Sequence, residues 1–248
     1  WVDSRRPKVT YASSFGVSEI PASQVKKTKE YLSRFSMISV REKQGAEIVE
    51  KLTGKKAEVC CDPTVLTDRK RWDELSGACP FVSEKYIFCY FIGNNPSQRE
   101  FAKKLAQKTD CKILAVKHID EYIKSDDDFG NIDYLEVGPK EFVNFIRYAT
   151  YVCTDSFHGT IFSIMYNKTF FTFKRFSDSQ KSSMNSRVKN ILSIVGLSNR
   201  LFENSITPDA ALAYQVDWSD VNKRLNDFRK SSREYFERAV KCLKGAQE

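Results

Sequence analysis

The sequence predicts an α/β fold built on parallel sheets, with one long helix near the C-terminus. Short β-rich runs alternate with helical patterns through most of the 248 residues, and such alternation is typical of parallel strands joined by helical crossovers. Pro96 and Pro139 stand where helices should begin, and Gly54 and Gly196 stand where helices should end. From Trp218 as far as residue 242, apolar residues recur at helical spacing, which predicts the long helix.

Eight strands are predicted from short runs rich in β-branched and aromatic residues. In chain order they cover residues 9–12, 38–40, 58–60, 86–92, 113–116, 133–135, 151–154 and 170–173. Three of the helices between or after them each have one apolar face, formed by Val25, Thr28, Leu32 and Phe35, by Phe142, Phe145, Ile146 and Ala149, and by Val188, Ile191, Leu192 and Val195. The sequence therefore predicts which residues follow the carboxyl end of each strand.

Residues 67–85 interrupt this alternation, because they contain a basic run, Gly77 and Pro80, and we predict a domain junction there. Three strands precede the junction and about five follow it; five are enough for a doubly wound domain, whereas three are few. We therefore predict an N-terminally incomplete first domain at residues 1–75 and a second domain at residues 76–205. Residues 206–248 would form a C-terminal helix that packs across both domains.

Composition excludes several classes of protein. With 41% hydrophobic and 29% charged residues, the chain is composed like a soluble globular protein. The net charge of +8 suits phosphorylated ligands or an anionic membrane surface, but the basic residues are scattered among acids, which disfavours nucleic-acid binding. No apolar run approaches the roughly 20 residues of a membrane helix. The seven cysteines lack zinc-ligand spacing, so reduced thiols and a cytoplasmic location are expected.

Candidate ligand-binding residues follow the predicted strands, because ligands of open α/β sheets bind beyond the carboxyl ends of the strands. These positions carry cations, amides, hydroxyls and one imidazole: Arg41, Asp62, Pro63, Gly93, Asn94, Asn95, residues 155–160, Lys174 and Arg175. Two of the turns lead into helices, whose N-terminal N–H groups bind anions. Phosphate is therefore the expected ligand. The turn at 93–96 lacks the spacing of a dinucleotide fingerprint or a Walker loop.

The turn at residues 155–160 is the most distinctive of these, because it places His158 beside Gly159. A histidine there can donate and accept protons near neutral pH. The structural alternative is that Asp155 or Ser156 caps the following helix. A serine hydrolase is disfavoured, since Ser156 and His158 are two residues apart and no G-x-S-x-G elbow is present.

Two other candidates also have structural interpretations. Arg41 would pair with Glu42 or a neighbouring carboxylate if it had no functional role. The second histidine, His118, follows the fifth predicted strand without distinctive neighbours, so a structural or peripheral role is expected for it.

Several motifs together resemble the polysaccharide pyruvyl transferase family. Residues 154–164 read T-D-S-F-H-G-T-I-F-S-I, which resembles the hallmark of that family. Supporting motifs are I-S-V-R-E at 38–42, C-D-P-T-V-L at 61–66, G-P-K-E-F at 138–142, N-S-R at 185–187, and Gly196-Leu197 with Arg200. They span roughly residues 36 to 200 in the order that the family shows. Many members carry arginine where this chain has Ser156.

The resemblance implies two Rossmann-like domains in an arrangement similar to GT-B glycosyltransferases. It also implies transfer of a pyruvyl group from phosphoenolpyruvate to a sugar, usually as a ketal, without a metal or cofactor. His158 would be the general acid and Arg41 would help to hold the donor. Further donor contacts are expected from Ser156, Phe157, Gly159, Asn95, Lys174, Arg175 and Arg187, with Lys174, Arg175 or Arg187 replacing the arginine that is common at position 156.

The leading hypothesis is a pyruvyl transferase of capsule or exopolysaccharide biosynthesis. It would act in the cytoplasm, in peripheral contact with the inner membrane surface, on a nucleotide-linked or lipid-linked glycan. One alternative is a GT-B glycosyltransferase that uses a nucleotide sugar. Another is a non-catalytic glycan-binding relative, which the serine at position 156 favours and the presence of His158 and Arg41 disfavours.

Overall fold

The computed structural model describes residues 6–17, 19–117, 122–132, 136–176, 185–203 and 205–245. The chain divides into two compact units. The first unit comprises Trp1–Leu66, Phe176–Ile194 and Lys223–Glu248, and the second unit comprises Thr67–Arg175 and Val195–Asn222. The domain limits predicted from the sequence, and the packing of the last helix across both domains, stay predictions.

The described residues contain strands and helices in alternation. The strands are β1 (Ser39–Val40), β2 (Glu58–Val59), β3 (Tyr86–Tyr90), β4 (Lys112–Ala115), β5 (Tyr151–Thr154), β6 (Thr169–Phe173) and β7 (Leu201–Phe202). The α-helices are α1 (Val25–Ser33), α2 (Lys43–Thr53), α3 (Pro63–Leu66), α4 (Arg69–Ser76), α5 (Pro96–Thr109), α6 (Pro139–Tyr148), α7 (Phe157–Met165), α8 (Asn185–Ile194), α9 (Pro208–Leu212) and α10 (Trp218–Lys244). Short 3₁₀ helices lie at Ala22–Gln24, Lys124–Asp126 and Ser198–Arg200.

The helix boundaries follow the sequence signals. Pro96 and Pro139 stand at the first turns of α5 and α6, and Gly54 caps α2 in the left-handed conformation with φ of 72°. Gly196, with φ of 76°, follows the end of α8. The predicted parallel α/β class and the long C-terminal helix are confirmed, since every strand pair is parallel and α10 begins at Trp218.

Two strand predictions need correction, and one strand was not predicted. The strand predicted at residues 9–12 was wrong, because the segment forms isolated bridges at Val9 and Ser13, and Ala12 between them has a left-handed φ of 46° that interrupts an extended strand. The strand predicted at 86–92 ends at Tyr90, where the chain leaves the sheet for a loop. Strand β7 was missed. The strand predicted at 133–135 lies outside the described residues.

The first unit contains a two-stranded parallel sheet in which Ser39 pairs with Glu58 and Val40 with Val59. Helix α10 packs beside it, since Tyr235 and Ala239 share a core cluster with Ala12 and Cys60. The Tyr235 hydroxyl also donates to the carbonyl oxygen of Thr10 at 2.8 Å. The C-terminal part of the chain therefore completes the core of the first unit.

In the described part of the second unit, five parallel strands form one sheet in the order β4-β3-β5-β6-β7. Counted within the unit, this order is 2-1-3-4-5, a doubly wound order that reverses direction between its first and third strands. That switch point lies between β3 and β5. Ligands of such sheets bind at the switch point, because the loops leaving the two strands diverge there.

Both faces of this sheet are covered by helices. Along β3, Ile87 and Cys89 share a core cluster with Phe101 of α5, while Phe88, which points to the other face, contacts the ring of Phe142 on α6 with centroids 5.6 Å apart. Continuous apolar burial on both faces is expected of a parallel sheet under helical crossovers. The loops at the carboxyl edge are thereby held on a rigid core.

No helix in the described ranges combines the length and the hydropathy that crossing a membrane requires.

The connection between α4 and β3 is fastened by Asn144, a fully buried residue of α6. Its amide donates to the carbonyl oxygens of Ser76 at 2.8 Å and Cys79 at 2.9 Å, and its side-chain oxygen accepts from the N–H of Phe81 at 3.1 Å. One side chain therefore satisfies three backbone groups of an irregular segment.

We expect Asn144→Ala to lower the free energy of unfolding by about 2–4 kcal/mol, because buried backbone groups would lose their partners. Urea unfolding followed by circular dichroism measures the change. Tyr148→Phe is the control, since it removes a bond of 2.8 Å from an exposed hydroxyl to Ala78 of the same connection and should cost less than about 1 kcal/mol. Equal losses in the two variants would contradict this account.

Candidate active site

Asp155 links the two loops that diverge at the switch point of the second unit. Its carboxylate accepts the backbone N–H of Ile92 at 2.7 Å and that of Gly93 at 2.8 Å. The side chain is 5% exposed. The loop after β3 is therefore fixed to the turn after β5.

Gly93 has to be a glycine for this contact to form. A Cβ atom at this position would lie 2.8 Å from Oδ2 of Asp155 and 3.3 Å from Cγ of Arg175. Any larger side chain would push the carboxylate or the arginine away. The sequence predicted that Gly93 follows a strand, and the structure supplies the reason for the glycine.

The turn at residues 155–160 is held by its own polar side chains. Ser156 caps α7, with Oγ accepting the N–H of Gly159 at 3.3 Å, as the structural alternative predicted. Thr154 accepts the N–H of Ser156 at 3.0 Å and donates to the carbonyl oxygen of Tyr90 at 2.6 Å. A Cβ on Gly159 would lie 2.5 Å from Oγ1 of Thr154, so glycine allows the helix to start against the strand.

His158 is the one exposed side chain of α7, a helix whose nine residues are all described. The other eight, including Phe157 and Gly159, are buried. A helix that is apolar on all sides is normally covered on all sides, so an exposed imidazole at its N-terminal end is exceptional. The start of α7 thus exposes the imidazole of His158, while its chain neighbours Phe157 and Gly159 are buried and hold the backbone in place. The second histidine, His118, lies outside the described residues.

Arg175 lies at the same edge of the second unit, directly after β6. It is half-buried, contacts the position of Gly93, and interacts electrostatically with Asp155. Burial raises the pKa of Asp155 above its ordinary value, while the bonds from Ile92 and Gly93 and the charges of Arg175 and Arg99 oppose that shift. The guanidinium of Arg175 therefore lies close to the switch point.

Lys174 and Asn95 have structural partners at this edge. The ammonium of Lys174 lies 2.5 Å from Oε1 of Glu203, and its backbone oxygen accepts from Gln98 at 3.1 Å. Asn95 caps α5 by accepting the N–H of Ser97 at 3.0 Å. Both predicted positions therefore lie at the carboxyl edge, with contacts that fix the chain there.

Arg99, which was not predicted from the sequence, holds the loop at residues 93–95. It is 2% exposed, and its Nη1 donates to the carbonyl oxygens of Gly93 at 3.0 Å and Asn95 at 3.2 Å, while Nε donates to Asp126 at 2.5 Å. An arginine in the first turns of a polar helix is expected to be exposed, and no local sequence pattern indicates that Arg99 is buried.

In the first unit, Arg41 follows β1 and is held by Asp62. Nη1 of Arg41 lies 2.7 Å from Oδ2 of Asp62, and Nε donates to the carbonyl oxygen of Ala12 at 2.7 Å. Asp62 is buried and also accepts the N–H of Thr64 at 2.9 Å, whereas the Arg41 side chain is 24% exposed. Arg41 therefore pairs with a neighbouring carboxylate, that of Asp62, while its role in binding a ligand stays a prediction. The contact also gives the guanidinium a fixed orientation.

Glu42, next to Arg41, is 2% exposed. Its Oε1 accepts from the hydroxyl of Ser14 at 3.0 Å and the N–H of Phe15 at 3.2 Å, and its Oε2 has no hydrogen-bond partner among the described residues. Burial raises its pKa, while those hydrogen bonds and the charges of Arg187 and Arg41 oppose the shift. The two arginines, distant in sequence, therefore both lie near this carboxyl group of the first unit.

The two units carry different groups. The second unit presents an imidazole and a guanidinium at the carboxyl edge of its sheet, which suits proton transfer to an anionic ligand. The first unit holds Arg41 and Arg187 near buried carboxylates, which suits a carboxylate or phosphate ligand. Within the described ranges, no three His, Cys, Asp or Glu side chains are grouped as metal ligands; that the reaction uses no metal stays a prediction.

Comparison with known proteins identifies a protein family. A family model described as polysaccharide pyruvyl transferase matches residues 2–175. No curated protein and no solved structure matches the chain.

The burial of Glu42 generates a pH prediction. Because the folded state favours its protonated form, the stability that Glu42 contributes is fully present below its ordinary pKa of 4.5 and is lost as the pH rises through the raised folded pKa. Glu42→Gln keeps an oxygen for Ser14 and Phe15 and stays neutral. From about pH 4 to pH 8, its free energy of unfolding should therefore rise relative to that of the wild type, as measured by urea unfolding. A pH-independent difference would contradict this assignment.

Proposed function

The chain belongs to the polysaccharide pyruvyl transferase family, a family of transferase enzymes, and we propose that it transfers a pyruvyl group from phosphoenolpyruvate to a sugar of a cell-surface polysaccharide or its precursor. The product in this proposal is a cyclic ketal across two sugar hydroxyls. The observation that carries the proposal is the exposure of His158 on a helix that is otherwise buried.

In the proposed reaction, protonated His158 gives its proton to the methylene carbon of the enol phosphate, and the central carbon becomes cation-like. A sugar hydroxyl adds to that carbon, the bond from carbon to the phosphate oxygen breaks, and a second hydroxyl completes the ketal. Of the two hydroxyl protons, one replaces the proton that His158 gave and the other leaves with inorganic phosphate. General acid catalysis of this kind typically contributes about 10²–10⁴-fold to the rate.

We propose that arginines bind the negatively charged groups of the donor. A guanidinium binds a carboxylate or phosphate through two parallel hydrogen bonds. Arg175 is the best-supported replacement for the arginine common at position 156, because it lies beside Gly93 and Asp155 at the switch point. Lys174 is less suited, since an ammonium is a point charge without the paired N–H groups of a guanidinium, and Glu203 engages it. Arg41 and Arg187 are proposed as donor-binding residues of the first unit.

The domain fold, the contact with a membrane and the nature of the acceptor are also proposals. The 2-1-3-4-5 strand order of the second unit is doubly wound and supports a Rossmann-like domain, while a GT-B-like arrangement is proposed from the family alone. The net charge of +8 suits an anionic donor and peripheral contact with the inner membrane surface, where each basic residue contributes about 1 kcal/mol. The acceptor would be a nucleotide-linked or lipid-linked glycan in the cytoplasm.

Calorimetric titration of phosphoenolpyruvate tests the donor assignment. We expect Arg175→Ala to weaken binding about tenfold or more, because a charge-assisted hydrogen bond contributes about 1.5–3 kcal/mol. Lys174→Ala is the matched control and should change the affinity less than about threefold. Equal losses in the two variants would contradict the assignment. If the folded wild type bound no phosphoenolpyruvate but was protected from thermal unfolding by a nucleotide, the glycosyltransferase alternative would replace this proposal.

His158→Gln tests the acid. We expect the variant to bind phosphoenolpyruvate and to keep its melting temperature, because the side chain is exposed, while release of inorganic phosphate in the presence of acceptor falls about 10²–10⁴-fold. His118→Gln is the control for loss of a histidine and should retain activity. An unimpaired His158→Gln variant would exclude His158 as the acid.

A further inference from the structure

A groove of about 810 Å³ lies on the second unit, between α5 and the segment from Ser205 to Asp209. Its volume falls within the range of about 300–1,000 Å³ that is usual for ligand sites. None of the candidate donor-binding or catalytic residues lines it.

The lining mixes apolar and polar surface, and its charges balance. Hydroxyl and amide groups come from Ser97, Gln107, Ser205 and Thr207. The charged residues are two lysines and two acids, Lys104, Lys108, Glu100 and Asp209, and apolar surface comes from Phe101, Ile206 and the prolines at 96 and 208. A nucleic acid or an acidic polymer would need an excess of positive charge. A neutral ligand rich in hydroxyl groups, with apolar C–H faces, fits this mixture.

The walls of the groove are fixed by the fold. Phe101 is 3% exposed within the main core cluster, and Ile206 packs against that cluster. Thr207 caps α9 by accepting the N–H of Ala210 at 3.3 Å, and the ion pair of Lys108 with Asp209, at 2.5 Å, joins the two walls. A preformed groove binds without a large ordering cost.

One end of the groove is formed by the residue that follows the loop at 93–95 of the candidate active site in the chain. Pro96 follows directly on the loop that Asp155 ties to the turn of His158. From Pro96 to Lys108, at about 1.5 Å per residue, α5 lines the groove over about 18 Å. The groove therefore leads away from the proposed reaction centre within the same unit.

We propose that this groove binds uncharged sugar residues of the acceptor glycan, adjacent to the sugar that receives the pyruvyl group. Its role as an acceptor site rests on the proposed function, whereas saccharide binding in the groove can be tested independently. Sugar hydroxyls would bond to Gln107, Ser205 and the charged side chains, and the apolar faces of the rings would lie on Ile206, with Phe101 forming the floor beneath it.

The test is binding of the full 248-residue chain to an array of defined bacterial oligosaccharides, followed by titration of the strongest binder. Gln107→Trp and Ser205→Trp each fill the groove from an exposed position. Lys70→Trp is the matched control, because it is exposed on α4, which packs against α6 and not against the groove. Thermal unfolding checks that all three variants fold.

We expect both groove variants to lose at least about tenfold in affinity for the oligosaccharide, equivalent to about 1.4 kcal/mol, and to bind phosphoenolpyruvate like the wild type. The control should bind both ligands normally. A wild type that binds no oligosaccharide, groove variants that bind it unchanged, or binding of peptides in its place would overturn the inference. If the wild type bound the oligosaccharide but not phosphoenolpyruvate, the proposed reaction would be contradicted and saccharide binding in the groove would stand.

Discussion

The hydrogen bonds from Ile92 and Gly93 to the buried carboxylate of Asp155 hold the candidate site of the second unit together. Strands β3 and β5 are neighbours in the sheet, yet their loops diverge, so a contact beyond the strand ends is needed to fix one loop against the other. Asp155 supplies this contact, and it requires Gly93 to be free of a side chain. The start of α5, the turn before α7 and the position of Arg175 all depend on it.

The same division of roles recurs in both units: buried groups fix the position of their neighbours, and the less buried groups are those that we propose to contact a ligand. In the second unit, Thr154, Ser156 and Gly159 satisfy and pack the turn, and His158 is left at the surface. In the first unit, buried Asp62 fixes Arg41, which is more exposed. Fixed donors and acids lose little entropy when a charged ligand arrives, which is why such preorganisation favours catalysis of reactions that develop charge.

Features set by local pattern were predictable, and features set by tertiary contacts were not. The strand at Tyr151–Thr154 and the start of α10 at Trp218 were predicted to the residue, because a bounded apolar run and a long helical periodicity mark them. Strand β7 has two residues and no such pattern. Ranking Arg175 above Lys174, and recognising Arg99 as a buried support, required knowledge of partners 20 or more residues away in sequence, namely Asp155, Glu203 and Asp126.

The central claim is that the turn at residues 155–160 presents His158 to the anionic donor, and nuclear magnetic resonance of the imidazole tests it directly. The chain has two histidines, so histidine-labelled protein gives two imidazole signals, and loss of one in His158→Gln identifies it. The account predicts that phosphoenolpyruvate shifts the His158 signal, and that the dissociation constant obtained from this shift equals the one that calorimetry measures. Binding of phosphoenolpyruvate with no change in that signal would contradict it.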